Sequence, residues 1–362
     1  MAPSRPPPPR VVRAVERIRD GLLRLRRRSA PGPAVLLELI LGAWVSQGIA
    51  VAAELKIADA LSGGPLPILE LARRVDAHPD ALDRLMRALV SQGVFTAKRG
   101  SRYALNAVSE PLRSDAPVSI AGMARFVGAP QHREHWSHLA EAVRTGRPML
   151  AQLRGMPAFE YLGTEPELAA IFNDAMTSMS ELALGPVLAA YDFTRFSTIV
   201  DVGGGHGRLL SAILAAAPAA QGILYDLPEV VQDAPDLLSR FGVADRVQVR
   251  GGSFFEAVPP EGDAYVLKNV IHDWADEDAV RILRTVRAAA RPGATVLLLE
   301  TVIPDHHREA VSKVIDLEML VSAGGQERTE REFRALFGQS GFRFTRVVQT
   351  AGPLCVIEGQ AV

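Results

Sequence analysis

From residue 197 onward the chain alternates short β-branched runs with amphipathic stretches of helical period: FSTIVDVG, LLSAILAAA, GILYDLP, VVQDAPDLLSRFG, VQVRGGSFF, AYVLKNVI, DAVRILRTVRAAA, ATVLLLETV, EREFRALFGQSGF and FRFTRVVQT. Strands this continuously apolar have no solvent face, so both sides of their sheet must be covered, and a strand joined to the next through a helix returns parallel to it. The pattern predicts a doubly wound, largely parallel α/β domain over residues 193–362. Ligands of such domains bind outside the carboxyl ends of the strands.

A chain of 362 residues exceeds the roughly 250–300 that one core holds, so a second region is expected ahead of the sheet. Between Pro33 and Leu61 apolar residues recur at helical spacing with very few charges, which predicts a helix buried in its own core or against a second subunit. Next come a short helix, a turn at DAHP, a helix carrying Leu82, Leu85, Met86 and Leu89, a stop at Gly93, and two short strands around Lys98 to Ser101. That order reads as a mainly helical, winged-helix domain over 33–115. A helical linker over 116–192 follows, and residues 1–32 read as a disordered tail with a short basic helix.

A winged helix raises DNA binding, but here Arg84 and Arg87 share their helix with Asp80 and Asp83, and the whole chain carries a net charge of −1. Packing or dimerisation is the better expectation, with no nucleic-acid partner. The apolar run AVLLELILGAW falls short of the ~18–20 residues of a spanning helix and contains Glu38, so no membrane partner is expected. Cys355 is the single cysteine and can form no internal disulfide, which suits a cytoplasmic setting. His132, His135 and His138 are spaced three apart, yet no carboxylate or thiol completes a metal pattern, so no metal is expected.

The first strand breaks into DVGGGHGRL. A dinucleotide fingerprint needs G-x-G-x-x-G, and counting from Gly203 and Gly205 puts Arg208 in the third place. What stands there is an acid followed by alternating glycines: Asp201, Gly203, Gly205 and Gly207. S-adenosylmethionine (SAM) has no pyrophosphate to seat; its sulfonium and ammonium suit a carboxylate beside bare backbone. Asp226, ending the second strand, lies where nucleoside-binding folds place an acid for the ribose hydroxyls. The strand AYVL ends at Lys268, and His272 follows it at the carboxyl edge of the sheet.

With these pieces in order, the chain resembles the class I SAM-dependent O-methyltransferases for small molecules, of the plant caffeate and acetylserotonin type and their bacterial antibiotic-pathway relatives. DVGGGHG, YDLPEV, GGSFFEAVP, LKNVIHDWADEDAVRIL and GGQERTEREFRALFGQSGF carry the resemblance, which runs from about residue 35 to the C-terminus. It implies a Rossmann-like SAM-binding domain behind a winged-helix dimerisation domain, a homodimer, and release of S-adenosylhomocysteine (SAH). It implies His272 as general base drawing a proton from a phenol of pKa about 10, with Glu300 and Glu327 flanking it. ERTE also reads as a helix start, with Thr329 as N-cap and Glu332 completing a capping box.

For the cofactor the resemblance implies Asp201, Gly203, Gly205, Asp226, Leu227, Ser253, Phe254, Lys268 and Ser180. For the acceptor it implies Met176, Asp273, Trp274 and Met319. Ser253 stands where many members carry Asp, and Ser322 and Ala323 replace a common Asn-Pro, which argues against a plant-type phenylpropanoid acceptor. Some bacterial relatives hydroxylate or decarboxylate instead, and those tend to lack the histidine kept here as His272. A ligand-sensing DNA-binding regulator is the reading from outside enzymology.

Overall fold

Seven strands form one sheet: β1 (Thr198–Val202), β2 (Gln221–Asp226), β3 (Val247–Gly251), β4 (Ala264–Lys268), β5 (Thr295–Glu300), β6 (Phe342–Gln349) and β7 (Cys355–Ala361). They lie in the order β6-β7-β5-β4-β1-β2-β3. The first five pair in parallel, with Val200 opposite Ile223 on one side and Tyr265 on the other. The computed structural model describes residues 8–306 and 310–362. The first seven residues of the expected tail, MAPSRPP, lie outside them.

Period two sorts the sheet's side chains between two cores. Ile199, Leu224, Val266, Leu297 and Leu299 face Leu210, Ile213 and Leu214 of the helix Arg208–Ala216 that follows β1. Val200, Val202, Tyr265, Leu267 and Leu298 face Ile282, Leu283, Phe333 and Phe337 on the other side. Burying each Leu or Phe contributes about 1.5–3 kcal/mol, so this layering positions the carboxyl edge of β1, β2, β4 and β5 firmly.

Strand β7 is absent from the alternation read in the sequence, because its center holds Glu358 and Gly359. Glu358 is buried there and accepts from the Tyr191 hydroxyl at 2.7 Å and from Arg195 and Arg346 at 3.1 Å each. The carboxylate that breaks the apolar pattern is therefore satisfied inside the fold.

By backbone contacts the chain divides into two compact units: the described part of Met1–Asp20 with Glu141–Gln152 and Leu182–Val362, and Gly21–Ala140 with Leu153–Glu181. In the second unit the helix Pro79–Ser91 buries Leu82, Met86 and Leu89, Gly93 takes φ +77°, and the strands Leu66–Pro67, Arg102–Ala104 and Thr96–Lys98 form the small winged sheet. Asp83 pairs with Arg87 at 3.1 Å and accepts from the Tyr103 hydroxyl at 2.7 Å, so one cation of the would-be recognition helix is already engaged.

The apolar segment forms the helix Gly32–Glu54, followed by a left-handed Lys56 and the short helix Ile57–Ala60. Within the chain only Ala50, Ala52 and Ala53 of the long helix are buried, while Leu36, Leu37, Leu39, Ile40 and Trp44 are exposed, Trp44 by 75%. Burial of this helix in the chain's own core, one of the two expected outcomes, is not what the structure has. Its length also departs from expectation: at 23 residues it is long and apolar enough to cross a membrane by length and composition, because Gly42, Ala43, Ser46 and Gly48 prolong the helix without adding charge. The arginine-rich segment forms a helix, Pro9–Arg28, with Val11, Val15, Ile18, Leu22 and Leu25 exposed at intervals of three and four.

Candidate active site

The glycine loop leaves β1 with Gly203, Gly205 and Gly207 at φ +69°, +58° and +84°, conformations that side chains rarely tolerate. The Gly203 N–H donates to the Tyr225 carbonyl at 2.8 Å, and a Cβ on Gly203 would lie 2.8 Å from Val270 Cγ2. Asp226 Oδ2 accepts from the Gly205 N–H at 2.8 Å and Oδ1 from the Leu227 N–H at 2.7 Å. Two backbone donors thus aim this carboxylate across the loop.

Asp201 is buried beneath the loop, and neither of its carboxylate oxygens finds a hydrogen-bond donor. Burial pushes its pKa up to about 7 despite the opposing charge of Lys268, whose own pKa is lowered by burial. Phe254 lies against Gly203 and packs with Phe255 at 5.1 Å between ring centers, and Trp274 meets Phe255 edge-on at 4.7 Å. The Ser253 hydroxyl is occupied locally, accepting from the Phe255 N–H at 3.3 Å.

His272 sits on a single 3-10 turn, Ile271–Asp273, just beyond β4. Glu327 Oε1 lies 2.9 Å from its Nδ1, Glu300 Oε2 3.8 Å from the same nitrogen, and Asp273 Oδ1 3.5 Å from Nε2. A carboxylate facing Nδ1 is best met by an N–H there, so the tautomer of the neutral ring that suits this contact leaves Nε2 as the basic nitrogen. Burial alone would depress the imidazolium, but the Glu300 charge, the Glu327 hydrogen bond and the Asp273 charge outweigh it and push the His272 pKa up to about 10. Burial also raises Glu300, to about 7, and raises Asp273.

The two glutamates are held from outside the histidine loop. Glu300, ending β5, uses Oε1 to accept from the Val270 and Ile271 N–H groups at 3.1 and 2.9 Å, while Oε2 has no donor. Glu327 Oε2 accepts from the Thr301 hydroxyl, and the Glu327 N–H donates to Asp316 Oδ1 at 2.8 Å. The capping box of Thr329 and Glu332 is present as well. The helix start and the histidine contact are therefore compatible: the cap anchors a helix whose preceding turn presents Glu327.

Gly325 permits that presentation. Its Gln326 neighbor donates from the backbone to the His272 carbonyl at 2.9 Å, and a Cβ on Gly325 would overlap that same carbonyl oxygen and the Asp273 backbone. Gly325→Ala is expected to force the two loops apart, lowering Tm by several degrees and separating Glu327 from His272. Circular dichroism melting beside an activity assay checks this, and an unchanged Tm with full activity would refute the close docking.

Among the residues proposed for cofactor and acceptor, Asp201, Gly203, Gly205, Asp226, Leu227, Ser253, Phe254, Lys268, Asp273, Trp274 and Met319 share one unit with His272, Glu300 and Glu327. Met319 is half-buried on the helix Val311–Val321. Met176 and Ser180 belong to the other unit, half-buried on the helix Pro166–Ala190. Among the described residues no group of three or more His, Cys, Asp or Glu side chains is arranged to hold a metal ion. His132 stacks on Phe126 at 4.6 Å, and Arg154 Nε donates to His135 Nε2 at 3.3 Å. Sequence reasoning missed Thr301, Asp316 and Arg328, polar residues with no motif of their own, which matter only through the loops they join.

Comparison with known proteins gives two family matches: an O-methyltransferase domain over residues 136–343 and an O-methyltransferase dimerisation domain over 37–115. The chain is 39% identical over 337 residues to the phenazine O-methyltransferase PhzM of Lysobacter antibioticus, spanning 93% of this chain and 98% of that one. It is 39% identical to the mitomycin biosynthesis 6-O-methyltransferase of Streptomyces lavendulae, over 89% and 92% of the two chains. Among solved structures, NcsB1, an O-methyltransferase from neocarzinostatin biosynthesis in complex with SAH and 1,4-dihydroxy-2-naphthoic acid, superposes with a TM-score of 0.73 at 34% identity, covering 88% of this chain and 96% of that one.

Proposed function

The chain belongs to the SAM-dependent O-methyltransferases with a fused dimerisation domain, and from that membership we propose that it methylates a phenolic hydroxyl of a small aromatic or polyketide-like metabolite, with His272 as general base. The observation that carries the reading is the buried His272–Glu327 pair at 2.9 Å, with Glu300 behind it, at the carboxyl edge of the sheet.

The residues around the glycine loop fit the cofactor. Asp201 offers a buried carboxylate lacking a donor, Gly205 has open space where a side chain would stand, and Asp226 is already oriented by two N–H groups. In this reading Gly203, Gly205 and Asp201 hold the methionine end, Asp226 and Leu227 the ribose, Phe254 and Ser253 the adenine side, with Lys268 nearby. When bound, SAM supplies an electrophilic methyl group. No metal enters the reading.

The protein's own part is positioning and one proton transfer. Trp274 and Met319 wall the acceptor ring, and Asp273 orients its hydroxyl toward Nε2. His272 Nε2 takes the phenolic proton, so the oxygen attacks as phenolate, and the imidazolium formed is stabilized by Glu327 and Glu300. Retention of His272 favors methyl transfer over the hydroxylation or decarboxylation of divergent relatives. The exposed apolar face of Gly32–Glu54 supports a homodimer, and the single cysteine is compatible with a cytoplasmic enzyme.

The test is transfer of labelled methyl from SAM to 1,4-dihydroxy-2-naphthoic acid and other phenols across pH. The neutral base is needed, and its pKa is raised, so kcat/KM is expected to climb through neutrality toward about 10 instead of leveling near an ordinary imidazole value. A phenol's own ionization gives a similar limb, so Glu327→Gln decides. Loss of the paired carboxylate should move the limb to lower pH, whereas a substrate limb would stay. Transfer to amines alone would overturn the phenolic acceptor.

A further inference from the structure

The residue after Glu327 is a cation with no exposure at all. Among the described residues Arg328 is the largest fully buried side chain, at 0% relative exposure. A guanidinium has five N–H groups, and each has a partner here. Nε donates to Asp276 Oδ1 at 2.9 Å, Nη1 to the carbonyls of Ile271 at 3.0 Å and Gln326 at 3.3 Å, and Nη2 to the Trp274 carbonyl at 2.8 Å and to Asp276 Oδ1 at 2.8 Å.

The placement of these acceptors is specific. Ile271 immediately precedes His272 and Trp274 lies two residues after it; Gln326 immediately precedes Glu327. Arg328 also pairs as a parallel bridge with Val302, two residues beyond Glu300. The guanidinium therefore ties the loop that carries His272 to the turn that carries Glu327, while the Arg328 backbone pairs beside the strand end that carries Glu300. Packing alone does not call for a charge, since a buried cation is costly to desolvate and an apolar side chain of similar volume fills such a space as well.

We propose that Arg328 is the positioning residue of this center, clamping the two loops so that His272 Nδ1 and Glu327 stay paired. It touches neither cofactor nor acceptor. The role rests on His272 being the base, and it adds a requirement that the base alone does not impose. Asp276 completes the clamp from the surface: its side chain is 60% exposed, and its Oδ1 also accepts from Gln326 Nε2 at 2.7 Å. Lysine cannot replace the planar fork, because a single ammonium with three N–H groups cannot reach all of these acceptors on both loops at once.

The experiment compares wild type, Arg328→Lys and Asp276→Ala, each saturated with SAH, by NMR titration of isotope-labelled histidine, using His272→Ala to assign the resonance. Both variants are expected to retain SAH affinity within about twofold, to move the His272 titration downward by about a pH unit or more, and to lose kcat by about tenfold with acceptor KM little changed. If Arg328→Lys fails to fold, Asp276→Ala, altered from the exposed side, decides alone. A His272 titration identical to wild type in the folded variants overturns the clamp. A shifted titration beside a fully active His272→Ala removes the base role and leaves the clamp standing, so the two failures are distinguishable.

Discussion

His272→Ala is expected to lower kcat by about 10²–10⁴-fold, the range a positioned general base supplies, while SAH affinity stays within about twofold. The effect belongs to the chemical step because a phenol remains protonated at neutral pH and attacks a sulfonium methyl poorly until its proton leaves. Binding should survive because His272 lies beyond β4, whereas the loop proposed for the cofactor follows β1 and is built from backbone that the imidazole does not support. The measurement is kcat with a phenolic acceptor across pH, beside calorimetric titration with SAH. Near-wild-type turnover would remove His272 from the mechanism. Loss of SAH binding instead would show that the imidazole acts structurally.

Asp226→Ala is expected to weaken SAM and SAH binding by at least about 100-fold, corresponding to ~2.7 kcal/mol. Two contributions add. A carboxylate accepting from two ribose hydroxyls supplies charged hydrogen bonds of about 1.5–3 kcal/mol each. The Gly205 N–H also loses the acceptor that holds the loop at 2.8 Å, so the backbone cradle loosens with it. Asp226→Asn separates the contributions, since an amide oxygen can still accept from Gly205 without the charge. Asp226 is only half-buried at the end of β2, so the fold should tolerate both changes. Unaltered SAM affinity in Asp226→Ala would remove this residue from the site and reopen what the glycine loop holds.

The physical reasons why some of this was legible in the sequence are local. Strand and helix alternate because apolar periodicity is a property of consecutive residues, and the glycine loop is recognizable because positive φ admits few other residue types. His272 stands out because it follows a strand end, where doubly wound folds do their chemistry. Glu327 is ambiguous in sequence because the capping box that starts two residues later explains the neighboring letters, and only the contact across the fold shows that the turn before the cap carries Glu327 to His272.

What stayed hidden depends on neighbors distant in sequence. Glu358 interrupts a strand pattern until Tyr191, Arg195 and Arg346 are brought to it from elsewhere in the chain. The exposed face of Gly32–Glu54 looks like buried helix because composition cannot say whether the cover comes from the same chain. Arg328 is one of many arginines in the sequence. Burial, five satisfied donors and a place between the loops of His272 and Glu327 distinguish it, and those are properties of the tertiary structure alone. The sequence by itself determined the layered α/β frame and the chemistry available at its edge, through local periodicity and residue type. Which carboxylates face the imidazole, and what holds them there, was decided by tertiary packing, because residues 272, 300 and 327 meet only when three separate segments fold together.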